Sequence, residues 1–253
     1  MLTAGDMKGK AALVTGTSGE LGKAVARKLA EAGANLCLVD ADPAALASCA
    51  AELQALGIAA HVHATDLAVA ENCRTAIEAA VSLLGRLDAL CNVANVFIPS
   101  HTKDMPKADW DLTLAINLTA PFYLIQAALP RLLDTHGAIV NVTSCAAFMA
   151  QPYTAAYTAT KAGMTQMTKA LANEFIETPV RINCVAPGSL AVSSGNRAKI
   201  PSNVDMSRVL RRSPSRGLID VDKIAAVIAF LASDASTGFH GTCITMDNGI
   251  SLG

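Results

Sequence analysis

Aromatic residues are scarce in this 253-residue chain, which has one Trp, three Tyr and six Phe. A core of that size must then be built from Ala, Val, Leu and Ile, which bury apolar area by number rather than by ring size. Charge of either sign is also in short supply as an excess: 20 Lys and Arg stand against 21 Asp and Glu, for a formal net charge of −1. That removes any global electrostatic reason to expect nucleic acid or an anionic membrane as partner. No continuous apolar run reaches transmembrane length, and the N-terminal residues lack the apolar core of a signal peptide, so no membrane association is expected. The seven cysteines include no C-x-x-C pair. Cys37, Cys91 and Cys184 fall in apolar strand-like runs, where the thiol behaves as a small hydrophobe. A disulfide framework does not follow, and a reduced, cytoplasmic setting is expected. His61 and His63 share a strand face without a third ligand nearby, so no metal centre is expected.

What is present is alternation. Ala11–Thr15 reads as a buried strand and runs straight into Gly16-Thr17-Ser18-Gly19-Glu20-Leu21-Gly22, after which Leu21, Val25, Leu29 and Ala32 recur at helical spacing. Strand, glycine-rich turn and helix in that order make a pyrophosphate cradle: the backbone N–H groups approach the phosphates and the helix start supplies partial positive charge. A second strand over 35–39 ends at Asp40, placed to accept hydrogen bonds from the adenosine ribose hydroxyls and to repel a 2′-phosphate. No Arg or Lys in the glycine loop or directly after Asp40 neutralises such a phosphate, so NAD is expected over NADP.

The pattern continues with a helix over 43–56, a strand over 59–63 leaving through Thr65-Asp66-Leu67, a helix over 69–84, and a strand over 88–91 leaving through Asn92-Val93-Ala94-Asn95. A long helix over about 107–134 carries Trp110, Asn117 and Pro121. Proline has no N–H for the carbonyl four residues back, which here is that of Asn117. Strands over 138–142 and 180–185, a helix over 221–231 and a last strand near 242–246 complete the series. Such alternation predicts an α/β fold, a doubly wound parallel sheet of Rossmann type with helices on both faces, in a single domain over 1–253. Ligands then bind at the C-terminal strand ends, where the residues singled out above gather.

Ser144 follows the fifth strand, and Tyr157-Thr158-Ala159-Thr160-Lys161 begins a helix whose expected buried face is Ala162, Met164, Met167, Leu171 and Phe175. Tyr157 and Lys161, four apart, lie on one side of that helix. A free phenol ionises near pH ~10. An adjacent ammonium is expected to favour the phenolate and bring it toward neutrality, with the Ser144 hydroxyl holding a substrate oxygen. That is an acid–base site for an alcohol–carbonyl pair, although Y-x-x-x-K alone also describes an ordinary exposed helix pair.

Taken together, Thr15-Gly16 through Gly22, Asp66, Asn92-x-Ala94, Asn117, Ser144, Tyr157-x-x-x-Lys161 and Pro187-Gly188 resemble the short-chain dehydrogenase/reductase family, in its shorter single-domain branch, over essentially the whole chain. The resemblance implies a tetrad: Tyr157 as general acid/base, Ser144 as donor to the substrate oxygen, Lys161 as the partner of the tyrosine and a nicotinamide-ribose ligand, and Asn117 holding a relay water. It also implies cofactor contacts from Gly16, Thr17, Ser18, Gly19, Glu20, Leu21, Asp40, Asp66, Leu67, Asn92, Ala94, Pro187, Gly188 and Leu190, substrate contacts from Ser144, Cys145 and Tyr157, and assembly as a homotetramer. Three positions depart from the family pattern: Glu20 and Asn95 stand where glycine is usual, and Val192 where threonine is usual. An asparagine at 95 is expected to tolerate a left-handed turn.

Substrate choice in such proteins lies after Pro187-Gly188, here a lid over about 189–216 with a helix over 202–212, and Ser202 and Asp205 spaced as a capping box. Arg197, Lys199, Arg208, Arg211, Arg212 and Arg216 in that segment fit an anionic substrate group, and equally a solvated helix face or a subunit contact. Cys145, Phe148, Met149 and Tyr153 either wall an apolar pocket or pack in the core. The leading expectation is an NAD-dependent interconversion of a secondary alcohol and a ketone. A 3-oxoacyl-type carbonyl reductase using NADPH and a dinucleotide-sensing protein without turnover are the alternatives.

Overall fold

A computed structural model describes residues 6–55, 57–192, 204–210 and 216–252. In chain order its strands are β1 (Ala11–Thr15), β2 (Asn35–Asp40), β3 (Ala60–Ala64), β4 (Ala89–Asn92), β5 (Ala138–Val142), β6 (Arg181–Pro187) and β7 (Cys243–Met246). The helices are α1 (Glu20–Glu31), α2 (Pro43–Gln54), α3 (Ala70–Leu84), α4 (Lys107–Leu114), α5 (Ala120–Thr135), α6 (Ala155–Glu174), α7 (Met206–Leu210) and α8 (Val221–Ala232). All seven strands pair in parallel in the order β3-β2-β1-β4-β5-β6-β7. The direction of winding reverses between β1 and β4, which opens a crevice at their C-terminal ends.

The five central strands read as near-continuous apolar runs because both faces are covered, while the edge strands β3 and β7 are partly exposed. Ala12 and Val14 of β1 face a core closed by α1, α2 and α8. Leu13, between them, faces a second core closed by α3, α5 and α6. Local signals set the boundaries. Asp42 accepts from the N–H groups of Ala44 and Ala45 at 3.0 and 3.1 Å and Pro43 opens α2. Gly85, at φ 75°, ends α3. Asp88 is buried between two strand starts, where it takes both nitrogens of Arg86 at 2.7 Å and the Ala11 N–H at 2.8 Å. A buried carboxylate is tolerated there because both of its oxygens find donors, one of them charged.

Two expectations about helices need correction. The stretch over 107–134 is not one regular helix: between α4 and α5 lies a π-helical turn, Ala115–Thr119, and the Ala120 N–H reaches back five residues to the Ala115 carbonyl. The lesion falls on Asn117, where Pro121 withholds its N–H. Taken whole, Lys107–Thr135 is long and apolar enough by composition to cross a bilayer, with mean hydropathy 1.5 in its most apolar window, contrary to the expectation that nothing reaches that length. Ala120, Leu124, Ile125, Ala128 and Leu132 spend that apolar character inside the second core, while Trp110, Leu112, Phe122 and Tyr123 stay exposed.

The inner face of α6 also differs from its apolar pattern. Met164 is buried, but Ala162, Met167, Leu171 and Phe175 sit half-buried at the rim. The deepest positions are Ala156, Thr160, Lys161, Thr165, Thr168 and Ala172. Threonine serves as an inner residue here because its hydroxyl bonds the helix's own backbone: Thr165 donates to the Lys161 carbonyl at 2.9 Å and Thr168 to that of Met164 at 2.8 Å.

Candidate active site

The crevice at the β1/β4 switch opens into a cavity of about 530 Å³, within the usual range for small-molecule sites. At one end the turn after β1 is shaped by close approach. Gly16 has φ +74°, and a Cβ there would lie 2.6 Å from the Ala94 Cα. A Cβ on Gly22 would lie 2.0 Å from the Gly16 carbonyl oxygen. The Thr15 hydroxyl clamps the other side of the crevice by accepting from the N–H groups of Val93 and Ala94, both at 3.0 Å. No side chain caps α1 at Gly19, and the helix start, with its partial positive charge, lines the cavity. This cradle, which side chains would fill, fits a dinucleotide pyrophosphate.

Asp40 is oriented toward the cradle: its carboxylate accepts from the Ser18 N–H at 3.0 Å and the Ala41 N–H at 2.8 Å. Asp66 caps its own turn through the Ala68 N–H at 2.9 Å. Gly16, Ser18, Gly19, Glu20, Leu21, Asp40, Asp66, Leu67, Ala94, Pro187 and Leu190 all line the cavity, as do Ser144, Tyr157 and Lys161. Thr65, Val96, Ile116 and Thr143 line it as well and were not foreseen. They directly follow strands or flank motif residues, which is the one sequence signal that could have found them.

Five expected contacts are not on the wall. Asn92 lies inside β4 and donates to the Asn141 side chain at 2.8 Å, so its amide stitches two strands together. Thr17 is fully buried. Gly188 lies against the last turn, where a Cβ would come 2.7 Å from the Asp247 Cα. Cys145 packs in a small cluster with Met149 and Ile250, so of the two readings of that stretch, core packing holds for these two. Phe148 is exposed instead. Asn117 stands one layer behind the cavity. Its amide exchanges two bonds with the Val96 backbone at 2.8 and 2.9 Å and donates to the Thr160 hydroxyl at 3.4 Å. Asn95 is not called on to tolerate a left-handed backbone; among the described non-glycine residues only His136, Tyr153 and Asn248 have positive φ.

Of the lid, Arg197, Lys199, Ser202, Arg211 and Arg212 lie outside the described residues. Asp205 caps the start of α7 by accepting from the Ser207 N–H at 3.0 Å, and its own N–H donates to the Tyr153 hydroxyl at 2.9 Å.

The acid–base group is assembled by three elements. Ser144 ends the β5 exit, where its hydroxyl accepts from the Ala146 N–H at 3.1 Å and lines the cavity together with the Tyr157 phenol. Phe97 meets the Tyr157 ring edge-on at 4.8 Å between centroids. Lys161, 1 % exposed, donates to the Val142 carbonyl at 3.0 Å, with its nitrogen 5.6 Å from the Tyr157 ring centre. The expected lowering of the tyrosine does not appear. Burial pushes Tyr157 up to about 12, against the opposing influence of the Ser144 hydroxyl. Burial also takes Lys161 down to about 7. A lysine half-neutral at pH 7 stabilises a phenolate little, so desolvation outweighs the ion pairing.

That burial has a thermodynamic consequence. Lys161 moves from 10.5 to about 7 on folding, so between those values the unfolded chain binds more protons and stability rises with pH. Tyr157 moves from 10.0 to about 12, so it contributes the opposite slope, and only above pH 10.0. Buried thiols raised by the fold oppose the lysine's slope above about pH 8 whether or not the amine is present. The urea midpoint of the protein without added dinucleotide, minus that of Lys161→Met, which keeps the stem and removes the amine, should therefore climb between roughly pH 7 and 9.5. An equal slope in both proteins would show that the amine keeps its ordinary pKa.

The sheet order, the glycine cradle and the Ser-Tyr-Lys group define an oxidoreductase that works with a nicotinamide dinucleotide. The chain belongs to the short-chain dehydrogenase/reductase family. Residues 16–251 match the family model described as enoyl-(acyl carrier protein) reductase. Among curated relatives, a D-threitol dehydrogenase of Mycolicibacterium smegmatis is 35% identical over 97% of this chain and 94% of its own. A 3-oxoacyl-[acyl-carrier-protein] reductase of Thermotoga maritima is 30% identical over 97% of this chain and 99% of its own. Among solved structures, a short chain dehydrogenase of Burkholderia cenocepacia in complex with NADP superposes with a TM-score of 0.87 at 29% identity, covering 97% of this chain and 99% of that one.

Proposed function

We propose that the chain is an NAD-dependent dehydrogenase of a secondary alcohol. The observation that carries this reading is the meeting, in one cavity, of Ser144, Tyr157 and Lys161 with the Asp40-tipped cradle. Asp40 accepts the ribose hydroxyls of the adenosine half and leaves no room for the charge of a 2′-phosphate, while α1 faces the pyrophosphate. NAD bound there supplies the hydride acceptor.

Ser144 holds the substrate oxygen, and Tyr157, a neutral phenol at pH 7, takes the hydroxyl proton as the carbonyl forms while its own proton passes on toward Lys161. Lys161, titrating near 7, is poised to accept a proton at neutral pH. Asn117 positions the Val96 loop against α6 and sits in the π-helical turn, whose unsatisfied backbone offers a place for a relay water. The resemblance to a D-threitol dehydrogenase supports a polyol or other secondary alcohol as substrate.

The 3-oxoacyl-type reductase is the second reading, supported by the Thermotoga relative; Asp40 counts against its usual NADPH. Assembly as a tetramer is supported by the exposed Trp110, Phe122 and Tyr123 on α4 and α5, an apolar patch suited to self-association. A cytoplasmic setting fits seven free cysteines.

The test is a panel of tetritols, cyclic diols, 3-hydroxy acids and simple secondary alcohols, with the matching ketones. Each is followed by nicotinamide absorbance with NAD and with NADP. Turnover of an alcohol with NAD supports the reading, and turnover confined to 3-oxoacyl thioesters with NADPH replaces it with the second.

A further inference from the structure

Seven cysteines look alike in the sequence, but the fold sets one pair apart. Cys184 in β6 and Cys243 in β7 are register partners on adjacent parallel strands, β7 being the sheet edge. As register partners they lie on the same face of the sheet, where the hydroxyl of Thr143 influences both thiols. Cys184 is fully buried and also meets Thr168, whereas Cys243 is partly exposed and lies near the Lys169 ammonium.

The other thiols are protected by burial, which pushes Cys37 up to about 12, Cys73 to about 11 and Cys91 to about 12, and raises Cys49 and Cys145 as well. Cys243 moves the other way. Its neighbour Cys184 lowers it most, with further lowering from Thr143 and Lys169. It therefore has more thiolate character than any other cysteine here, and it has access to solvent.

We propose that Cys243 and Cys184 form a hydroperoxide-responsive dithiol, with Cys243 as the attacking thiol and Cys184 as the resolving one. The Cys243 sulfur attacks the O–O bond of a hydroperoxide, becoming a sulfenic acid and releasing water, or an alcohol from an organic hydroperoxide. The Cys184 sulfur then attacks the sulfenic sulfur, expelling a second water, and an S–S bond forms. Two thiols are oxidised by two electrons and one peroxide is reduced.

Adjacent strands run about 4.7–4.9 Å apart, inside the Cα separation that a disulfide spans. Side chains of directly opposed parallel residues stand side by side rather than converging, so the bond stretches past its preferred Cβ separation. A bond of that kind is readily reduced, as suits a switch rather than a staple. It forms beside Thr143, which lines the cavity and precedes Ser144.

The full-length protein, reduced and freed of reductant, is treated with about one equivalent of hydrogen peroxide, its remaining thiols are alkylated, and its mass and peptides are measured. Two of the seven thiols should disappear, the protein should be lighter by two hydrogens before alkylation, and peptides containing Cys184 and Cys243 should be joined. Dithiothreitol should restore all seven. In Cys184→Ala the reaction should halt at a dimedone-reactive sulfenic acid on Cys243, and in Cys243→Ser Cys184 should remain a thiol. The wild-type measurement stands alone if either variant fails to fold. A full set of thiols after peroxide, or a link through any other cysteine, overturns the proposal.

Discussion

Tyr157→Phe should lower kcat by about 10²–10⁴-fold, the range that a positioned general acid or base contributes, and leave folding and NAD affinity close to native. Only the hydroxyl is deleted. The ring keeps its edge contact with Phe97, and Lys161 keeps its bond to the Val142 carbonyl. What disappears is the phenolic hydroxyl that lines the cavity with Ser144 and carries the proton. The fall should be in kcat rather than KM, because the hydroxyl's proton transfer belongs to the transition state. Stopped-flow turnover together with calorimetric NAD binding separates the two terms. Near-native turnover in a folded, NAD-binding variant would remove Tyr157 from the mechanism.

Asp40 should set the cofactor. Its carboxylate is fixed by the Ser18 and Ala41 N–H groups and cannot swing away without losing both bonds. Among the described lining residues the one cation is Lys161, in the Ser-Tyr-Lys group, so nothing described beside Asp40 offsets a 2′-phosphate. Two unit charges ~4 Å apart near a protein surface repel by about 4 kcal/mol. Solvent and salt in an open cleft reduce that, leaving a preference of about 10²-fold for NAD. Asp40→Ala should cut it to below about 10-fold, by weakening NAD through the lost ribose bonds and strengthening NADP through the lost repulsion. Titrating both dinucleotides into both proteins measures the effect, and equal affinities in the wild type would show that Asp40 does not face the ribose.

The central strands were legible because each is a short, largely apolar run with a polar or glycine exit, and β3 by its alternation; the observed limits fall within one or two residues of those read from the chain. The break at Asn117 was legible in part: Pro121 marks the lost N–H, but whether the helix answers with a kink or a π turn depends on packing against α6. Threonines 165 and 168 hid the inner face of α6, since their hydroxyls are cancelled by backbone bonds that a hydropathy pattern does not record. Asn92 and Cys145 lie off the cavity wall for a reason the chain does not show. A polar or small residue beside a motif looks like a ligand contact until the neighbouring strand, here with Asn141, or a distant turn, here with Ile250, is known. The Tyr157–Lys161 pair shows the same limit in electrostatics: spacing brings the groups together, while the burial that dominates both titrations comes from the fold. The Cys184–Cys243 pair depends on strand register across 59 positions of chain and had no local signal at all.

The central claim, hydride transfer from a carbinol carbon in the Ser144–Tyr157–Lys161 cavity, is tested most directly by isotope. The best alcohol from the panel, deuterated at its carbinol carbon, is turned over with unlabelled NAD in ordinary water, and the reduced nicotinamide is examined by NMR. Deuterium at the ring carbon that accepts the hydride, with none lost to water, is the predicted result. Reduced nicotinamide formed without the label would contradict it.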